Sequence, residues 1–558
     1  ALVEPAGHLP ITKLFHRGDH NQPTREVMPG KLSVLVPEGS EKSFPTDDPS
    51  LPTSGRRLAF AKWLTQPEQP NPLFVRSFVN RIWMHHFGKA IVATPGDFGK
   101  LGSAPTHPQL LDWLGWELIE HGWSLKHLHR TILKSTAYRQ SSQRDPAREA
   151  IDPENRFYWR KDLQRLDAEV LRDSILMISG QWKPDIYGLP VPLQEDDAGQ
   201  VRMDPSQPRR SIYAKWRRTQ PVALLQAFDA PVMGVNCDSR PSSTVATQSL
   251  MMMNNEFVLE QASIIAKMVS EQVSRVEGDG ATALFGKQDG DNAEWELPQP
   301  PEPRWRYGTG TFSRETNEVT DFIEFMSTSE GRRHAGAQVP DAKFGWVFLT
   351  ATGGHPGNAS YPAIRRWIAP DTGVVRITGS LSHGSENGDG VLGTIVSKQG
   401  SAGRWTAKSI VVATPVESIA VEKGDPIDFV LECGEHETSD SFQWPIQITL
   451  IPSMVVASES GTADSPAKSM VFDAAVGFQL GQEDYSLISK QIIAAWRLLL
   501  KRSPNHDELH AVGQFVLRQL ELIHREPQRL SQGVSASRQV VINVCQMLLN
   551  SNEFLYVD

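Results

Sequence analysis

The chain has 558 residues, 39% hydrophobic and 22% charged, with 42 Gly and 39 Pro, enough for two or three domains. Its 56 Lys and Arg against 65 Asp and Glu leave a net charge of -9, which excludes overall attraction to a nucleic-acid backbone or an anionic membrane surface. No stretch approaches the ~18 consecutive apolar residues of a spanning helix, so no membrane span is expected.

Three cysteines, Cys237, Cys433 and Cys545, lie far apart and form no C-x-x-C or C-x-x-C-H, which excludes covalent haem attachment and a four-cysteine zinc site while leaving room for one disulfide. The first residue is Ala1, and no signal-peptide apolar core follows, so the chain reads as processed or as one part of a longer product.

Residues 1–53 hold neither helical nor strand periodicity and read as an extended arm; Arg17-Gly18-Asp19 within it reads as a turn rather than an adhesion tripeptide. From Ser54 the helical signals are well punctuated. Asn71-Pro72 starts a helix whose apolar stripe includes Phe74, Phe78, Ile82 and Trp83, and Gly88 stops it. A second helix opens near Thr106-His107-Pro108 and stops at Gly122; Ser124 caps a third. Further helices are expected over 167–180, 220–228 and 249–276, completing the first part of a helical domain at 54–276.

A Pro-rich linker at 277–303 leads into a region of different character. Over 304–453, short runs rich in Val, Ile, Thr and aromatic residues alternate with Gly, Asp, Asn and Ser turns, the pattern of an antiparallel β-sandwich of jelly-roll type. A second linker is expected at 454–484, and helices return over 485–558, with Asn505 and Glu508 forming a capping-box signature. The predicted fold class is therefore α+β multidomain, a mainly helical domain interrupted by an inserted antiparallel β-sandwich.

The helical strings Val79-Asn80-Arg81-Ile82-Trp83, His85-His86-Phe87-Gly88, Thr94-Pro95-Gly96-Asp97-Phe98-Gly99 and Arg165-Leu166-Asp167-Ala168-Glu169 resemble one family, as does the ending Asn552-Glu553-Phe554-Leu555-Tyr556-Val557-Asp558. The family is the planctomycete-type secreted domain known as domain of unknown function 1553. The resemblance implies export to the periplasm or outside, a place behind a cytochrome-c-like module and a companion domain, and a carbohydrate-binding-like sandwich in the same protein. It implies no established activity.

The candidate chemistry divides between the two regions. Asp97 and His107 are a possible acid/base pair, with Arg81 to hold an anionic group. His85, His86, His107 and Asp97 are alternatively the donors of a zinc or iron site, although adjacent histidines on a helix point about 100 degrees apart. In the sandwich, Trp405 and Trp444 are candidate sugar platforms, and His383, Asp389 and Asp440 candidate hydroxyl partners; the same Asp-rich loops suit a calcium ion. The leading expectation is an exported binding or scaffold protein with glycan or a neighbouring subunit as partner. A polysaccharide-acting enzyme and a redox partner of another chain's haem are the alternatives.

Overall fold

The computed structural model describes residues 9, 11–36, 38–66, 70–196, 198–231, 237–276, 304–329, 331–336, 338–453, 469–481, 483–530 and 533–557. The linker expected at 277–303 lies outside the described residues. The fold is α+β and multidomain, with a helical N-terminal region and large antiparallel sheets towards the C-terminus.

The chain divides into two compact units: residues 1–174, 183–251 and 552–558 form the first, and 175–182 with 252–551 the second. These limits differ from one helical domain spanning 54–276 and 485–558. The helix Glu256–Val276 packs against Tyr485–Leu500 and Ala536–Leu549 in the second unit. The final strand, Tyr556–Val557, pairs antiparallel with Gln164–Arg165 in the first.

The first unit holds the helices α1 (Arg56–Thr65), α2 (Pro72–Phe87), α3 (Pro108–Glu120) and α4 (Leu125–Lys134). Asn71 accepts from the backbone N–H groups of Leu73 and Phe74, both at 3.1 Å, and Pro72 takes the first helical position, where it loses no bond. Gly88 ends α2 with φ 72°, a left-handed conformation that glycine adopts without steric cost. The apolar faces meet in a core of Val79, Trp83, Phe87, Leu111, Leu114 and Leu128. Asn80 is buried within it, donating to the Val92 carbonyl at 3.1 Å and accepting from the Val92 N–H at 2.8 Å.

The arm at 1–53 departs from expectation. Thr12–Phe15 and Pro23–Val27 pair as an antiparallel hairpin, and His16–Gly18 makes a tight turn between them, so the Arg17-Gly18-Asp19 turn is where it was predicted. The hairpin leaves almost no side chain buried, which is why it lacks an apolar alternation in the sequence.

The sandwich of the second unit packs a six-stranded sheet against a ten-stranded one. The first runs in the order Gly400–Ala407, Val391–Ser397, Pro426–Cys433, Ala363–Ile368, Trp305–Ser313, Glu318–Glu324. In the second, the long strand Gly373–His383 pairs with Ile446–Pro452 along one edge and with Val416–Val421 along the other. Strand alternation sets what faces the core. Val375, Ile377, Leu381 and His383 point inward together, as do Ile446, Ile448 and Leu450.

Part of the second expected linker is structured. Met470–Asp473 adds an edge strand to Ile446–Pro452, and Asp473 caps the helix Ala474–Leu480, which rests on Trp305. That apolar run is too short to announce itself beside a low-complexity segment. The helix expected over 249–276 is two helices, Ala246–Asn254 and Glu256–Val276, with Asn255 in the capping position between them. The capping box of Asn505 and Glu508 forms as predicted. All three cysteines are free thiols, Cys237 exposed and the other two buried.

Candidate functional site

The most completely equipped pocket of the sandwich has a volume of about 420 Å³ and is lined by Arg332, Trp346, Phe348, His355, Glu437 and the hydroxyl residues Thr438, Ser439 and Ser441. The strands Arg332–His334, Phe348–Leu349 and Gly353–His355 and the loop over residues 434–441 build it. In Trp346-Val347-Phe348-Leu349 the alternation buries Val347 and Leu349, at 2% and 1% exposure, and turns Trp346 outward at 46%. The facing wall is the loop over residues 434–441 between two strands of the sandwich.

Gly345 precedes the tryptophan with φ 66°, and a Cβ there would stand 3.0 Å from Glu437 Oε2, so glycine lets these two segments approach. Glu437 Oε2 is buried and has no hydrogen-bond partner, an acceptor available to a ligand hydroxyl. The Arg332 guanidinium lies 4.7 Å from the Phe348 ring centre, and Phe348 stacks on His355 at 6.1 Å. His355 has its pKa lowered, first by burial, which favours the neutral imidazole. An exposed indole beside a cation, a carboxylate and several hydroxyls can hold an apolar face while fixing polar groups at its rim.

The sandwich residues expected from sequence fall around this pocket unevenly. Trp444 is 1% exposed, its indole N–H donating to Thr414 Oγ1 at 3.0 Å, and its ring is core and offers no face to a ligand. Trp405 is half-buried, lies over Gly403 of its own strand and packs on the sandwich core. His383 and Asp440 are brought together, 3.5 Å apart with both side chains fully buried. Asp389 accepts from the N–H groups of Glu435 and His436, thereby holding the loop that carries Glu437. These three support the wall and do not line it.

In the first unit, Asp97 is exposed and its carboxylate accepts from Gly99 N–H at 2.7 Å, closing a turn. His107 Nδ1 meets Thr106 Oγ1 at 3.0 Å, and its ring packs against Phe157 and Tyr158. No hydrogen bond joins Asp97 to His107. Arg81 pairs with Asp238 at 3.3 Å.

His86 Nε2 meets His129 Nδ1 at 2.8 Å; burial first, then His129, lowers the His86 pKa. His85 is exposed and lines a separate cleft of about 690 Å³. Among the described residues, no three of His85, His86, His107 and Asp97 hold donor atoms within 4.8 Å of one another. Adjacent helix positions diverge, as their geometry requires.

Trp346, Arg332 and Glu437 were not singled out in the sequence. The exposed aromatic just ahead of the inward Val347 and Leu349 was a readable signal for the first; the other two depend on how the sandwich brings the strand Arg332–His334 and the loop over residues 434–441 together.

Residues 56–291 match the model of a family described as PSD1, protein of unknown function (DUF1553). No curated protein matches the chain. Among solved structures, the chain is similar to the C-terminal CBM6 of LamC, a marine laminarinase from Zobellia galactanivorans. Identity is 13% over 16% of this chain and 72% of that one, with a TM-score of 0.11. It is also similar to the CBM51-2 and INT domains of ZmpB from Clostridium perfringens, 9% identical over 37% and 36%, TM-score 0.14. A third is the PA14 domain of the MpAFP antifreeze protein, 12% identical over 31% and 86%, TM-score 0.14. Scores this low carry neither fold nor function across, and the reading of the site rests on its residues.

Proposed function

We propose that the chain is a glycan-binding protein whose β-sandwich holds sugar against Trp346. The observation that carries the reading is an indole 46% exposed at the mouth of a 420 Å³ pocket, with Arg332, Glu437 and three hydroxyl residues around it. Pockets for small ligands run from roughly 300 to 1,000 Å³, so the volume suits one or two sugar rings. The C–H face of a pyranose stacks on the indole, while Arg332 donates to ring hydroxyls and Glu437 accepts from them. Such a protein meets its ligand outside the cell or in the periplasm, in agreement with the exported context that the family resemblance implies. Docking of the helical portions to a cytochrome-c-like neighbour rests on that resemblance alone.

The test is a glycan array probed with the full chain and with Trp346→Ala. Retention of a defined set of glycans by the wild type, lost in the variant, supports the reading. Retention of none, or equal retention by both, overturns it.

A second reading, catalysis on polysaccharide in the first unit, draws on the 690 Å³ cleft. There His85, Asp162 and Asp167 lie among Lys89, Arg165 and Arg240, and Tyr556 and Val557 from the end of the chain complete the wall. Several of these residues belong to the family-like strings. Release of reducing ends from a polysaccharide, abolished in Asp167→Asn, is the outcome that favours this reading.

A further inference from the structure

The corner between α3 and α4 brings together three side chains that neither the pocket nor the cleft uses. Glu117 stands on the last turn of α3, His121 is the residue that ends it, and His127 lies on the first turn of α4. Spacing of i, i+4 puts Glu117 and His121 on one face. The connection then turns sharply: Gly122 and Trp123 both take left-handed φ, 63° and 61°, and Trp123 N–H returns to the Leu118 carbonyl at 2.8 Å. Ser124 caps α4 through the His127 N–H, which fixes the backbone of the third residue.

The donor atoms that result are close. Glu117 Oε1 is 2.7 Å from His127 Nε2 and 3.5 Å from His121 Nδ1, and all three lie within 4.8 Å of one another. A tetrahedral ion with bonds of about 2.0 to 2.1 Å separates its ligands by about 3.3 Å. The two imidazoles stack with centres 3.7 Å apart and planes 10° apart. Two stacked rings facing one carboxylate repel each other if both are protonated. A divalent cation in place of the protons satisfies both nitrogens and the carboxylate together.

We propose that Glu117, His121 and His127 form a binding site for a divalent transition metal of zinc type, with three protein ligands and an open position for water or substrate. Imidazole and carboxylate are the donors such ions take, and a three-ligand set is the pattern of accessible rather than closed sites. The Glu117 side chain is 12% exposed and held in place, whereas His121 is 42% exposed. Its ring therefore turns out of the stack to aim its lone pair, giving up the 3.0 Å contact of Nδ1 with the Glu117 carbonyl. This site is independent of the glycan reading, and either stands without the other.

The full chain, stripped with a chelator, is titrated with zinc by calorimetry and with cobalt by visible absorption. The expected result is one zinc per chain and a cobalt spectrum of tetrahedral intensity. His121→Ala and His127→Ala each weaken zinc by about 100-fold or more, and His107→Ala binds as the wild type does. His121 is exposed, so its variant keeps the metal-free melting temperature and separates loss of the ligand from loss of the fold. No zinc bound at stoichiometric concentration, or binding that survives both His121→Ala and His127→Ala, overturns the site.

Discussion

His383 Nε2 stands 3.5 Å from Asp440 Oδ1 in the interior of the sandwich, and neither side chain reaches solvent. The histidine is already engaged: Ser409 N–H donates to Nδ1 at 3.4 Å, which assigns the proton to Nε2, and that donates to the Ser439 carbonyl at 3.0 Å. Burial, and then the charge of Asp389, push the Asp440 carboxyl up to about 6. His383 and the Gly390 N–H pull the Asp440 pKa down, but less strongly than these opposing effects push it up.

An aspartate in the unfolded chain titrates near 3.9, so between about pH 4 and pH 6 the folded state holds the proton more tightly. Stability contributed by protonated Asp440 is present at low pH and is lost as pH rises through about 6. In chelator, Asp440→Asn is expected to melt above the wild type at pH 7.5, with the gap narrowing towards pH 4.5. Thermal unfolding across pH measures it, and a lower melting temperature for the variant at pH 7.5 contradicts it. Calcium held by Asp389 and Asp440, as the loop composition suggested, predicts that the wild type gains melting temperature with calcium and Asp440→Asn does not.

Arg365 is fully buried without a carboxylate partner. Its guanidinium donates to the carbonyls of Trp444 at 2.6 Å, Gly353 at 2.8 Å and Thr350 at 3.3 Å, and burial pushes its pKa down to about 10. These bonds tie the strand Ala363–Ile368 of one sheet to segments of the other. Arg365→Met relieves a desolvated charge but takes the donor from the Trp444 and Thr350 carbonyls, Gly353 still accepting from Thr350 N–H at 2.9 Å, and the lost bonds dominate. A loss of roughly 2 to 4 kcal/mol is expected in denaturant unfolding; a variant as stable as the wild type contradicts the account.

Asn80 gives a physical reason for one of the family-like strings. Its side chain satisfies both backbone groups of Val92 inside the core of the first unit. Asn80→Leu leaves a buried N–H and C=O unpaired and is expected to cost roughly 2 to 4 kcal/mol. Denaturant unfolding of the first unit checks this, and Arg76→Ala serves as the comparison. The Arg76–Asp112 ion pair is about half exposed on both sides, and its loss is expected to cost under about 1 kcal/mol.

Much of the helical architecture was legible because each end carried its own chemistry: Asn71 with Pro72 and Gly88, Ser124, and Asn505 with Glu508. The strands were legible through alternation, and the same alternation decides which side chains are buried. Val375, Ile377 and Leu381 fix the inward parity of their strand, so His383 had to be buried with them. Val347 and Leu349 likewise assign Trp346 to the outer face. Trp444 fell the other way, since a tryptophan beside Asp and Ser turns looks equally suited to surface or core until its strand is paired. The unit boundary at 251/252 was not legible, because it depends on which helices Glu256–Val276 packs against and not on any break in periodicity. The corner of Glu117, His121 and His127 was half legible: the i, i+4 pair is in the sequence, but the third donor arrives only through the left-handed turn at Trp123.

The most direct test of the central claim is the affinity of the purified full chain for the glycan it retains best, measured by calorimetry on the wild type, Trp346→Ala and Trp405→Ala. The account predicts a loss of about tenfold or more in Trp346→Ala, the scale of one lost aromatic stacking contact, and an unchanged affinity in Trp405→Ala. Wild-type affinity in Trp346→Ala, or a loss confined to Trp405→Ala, contradicts it.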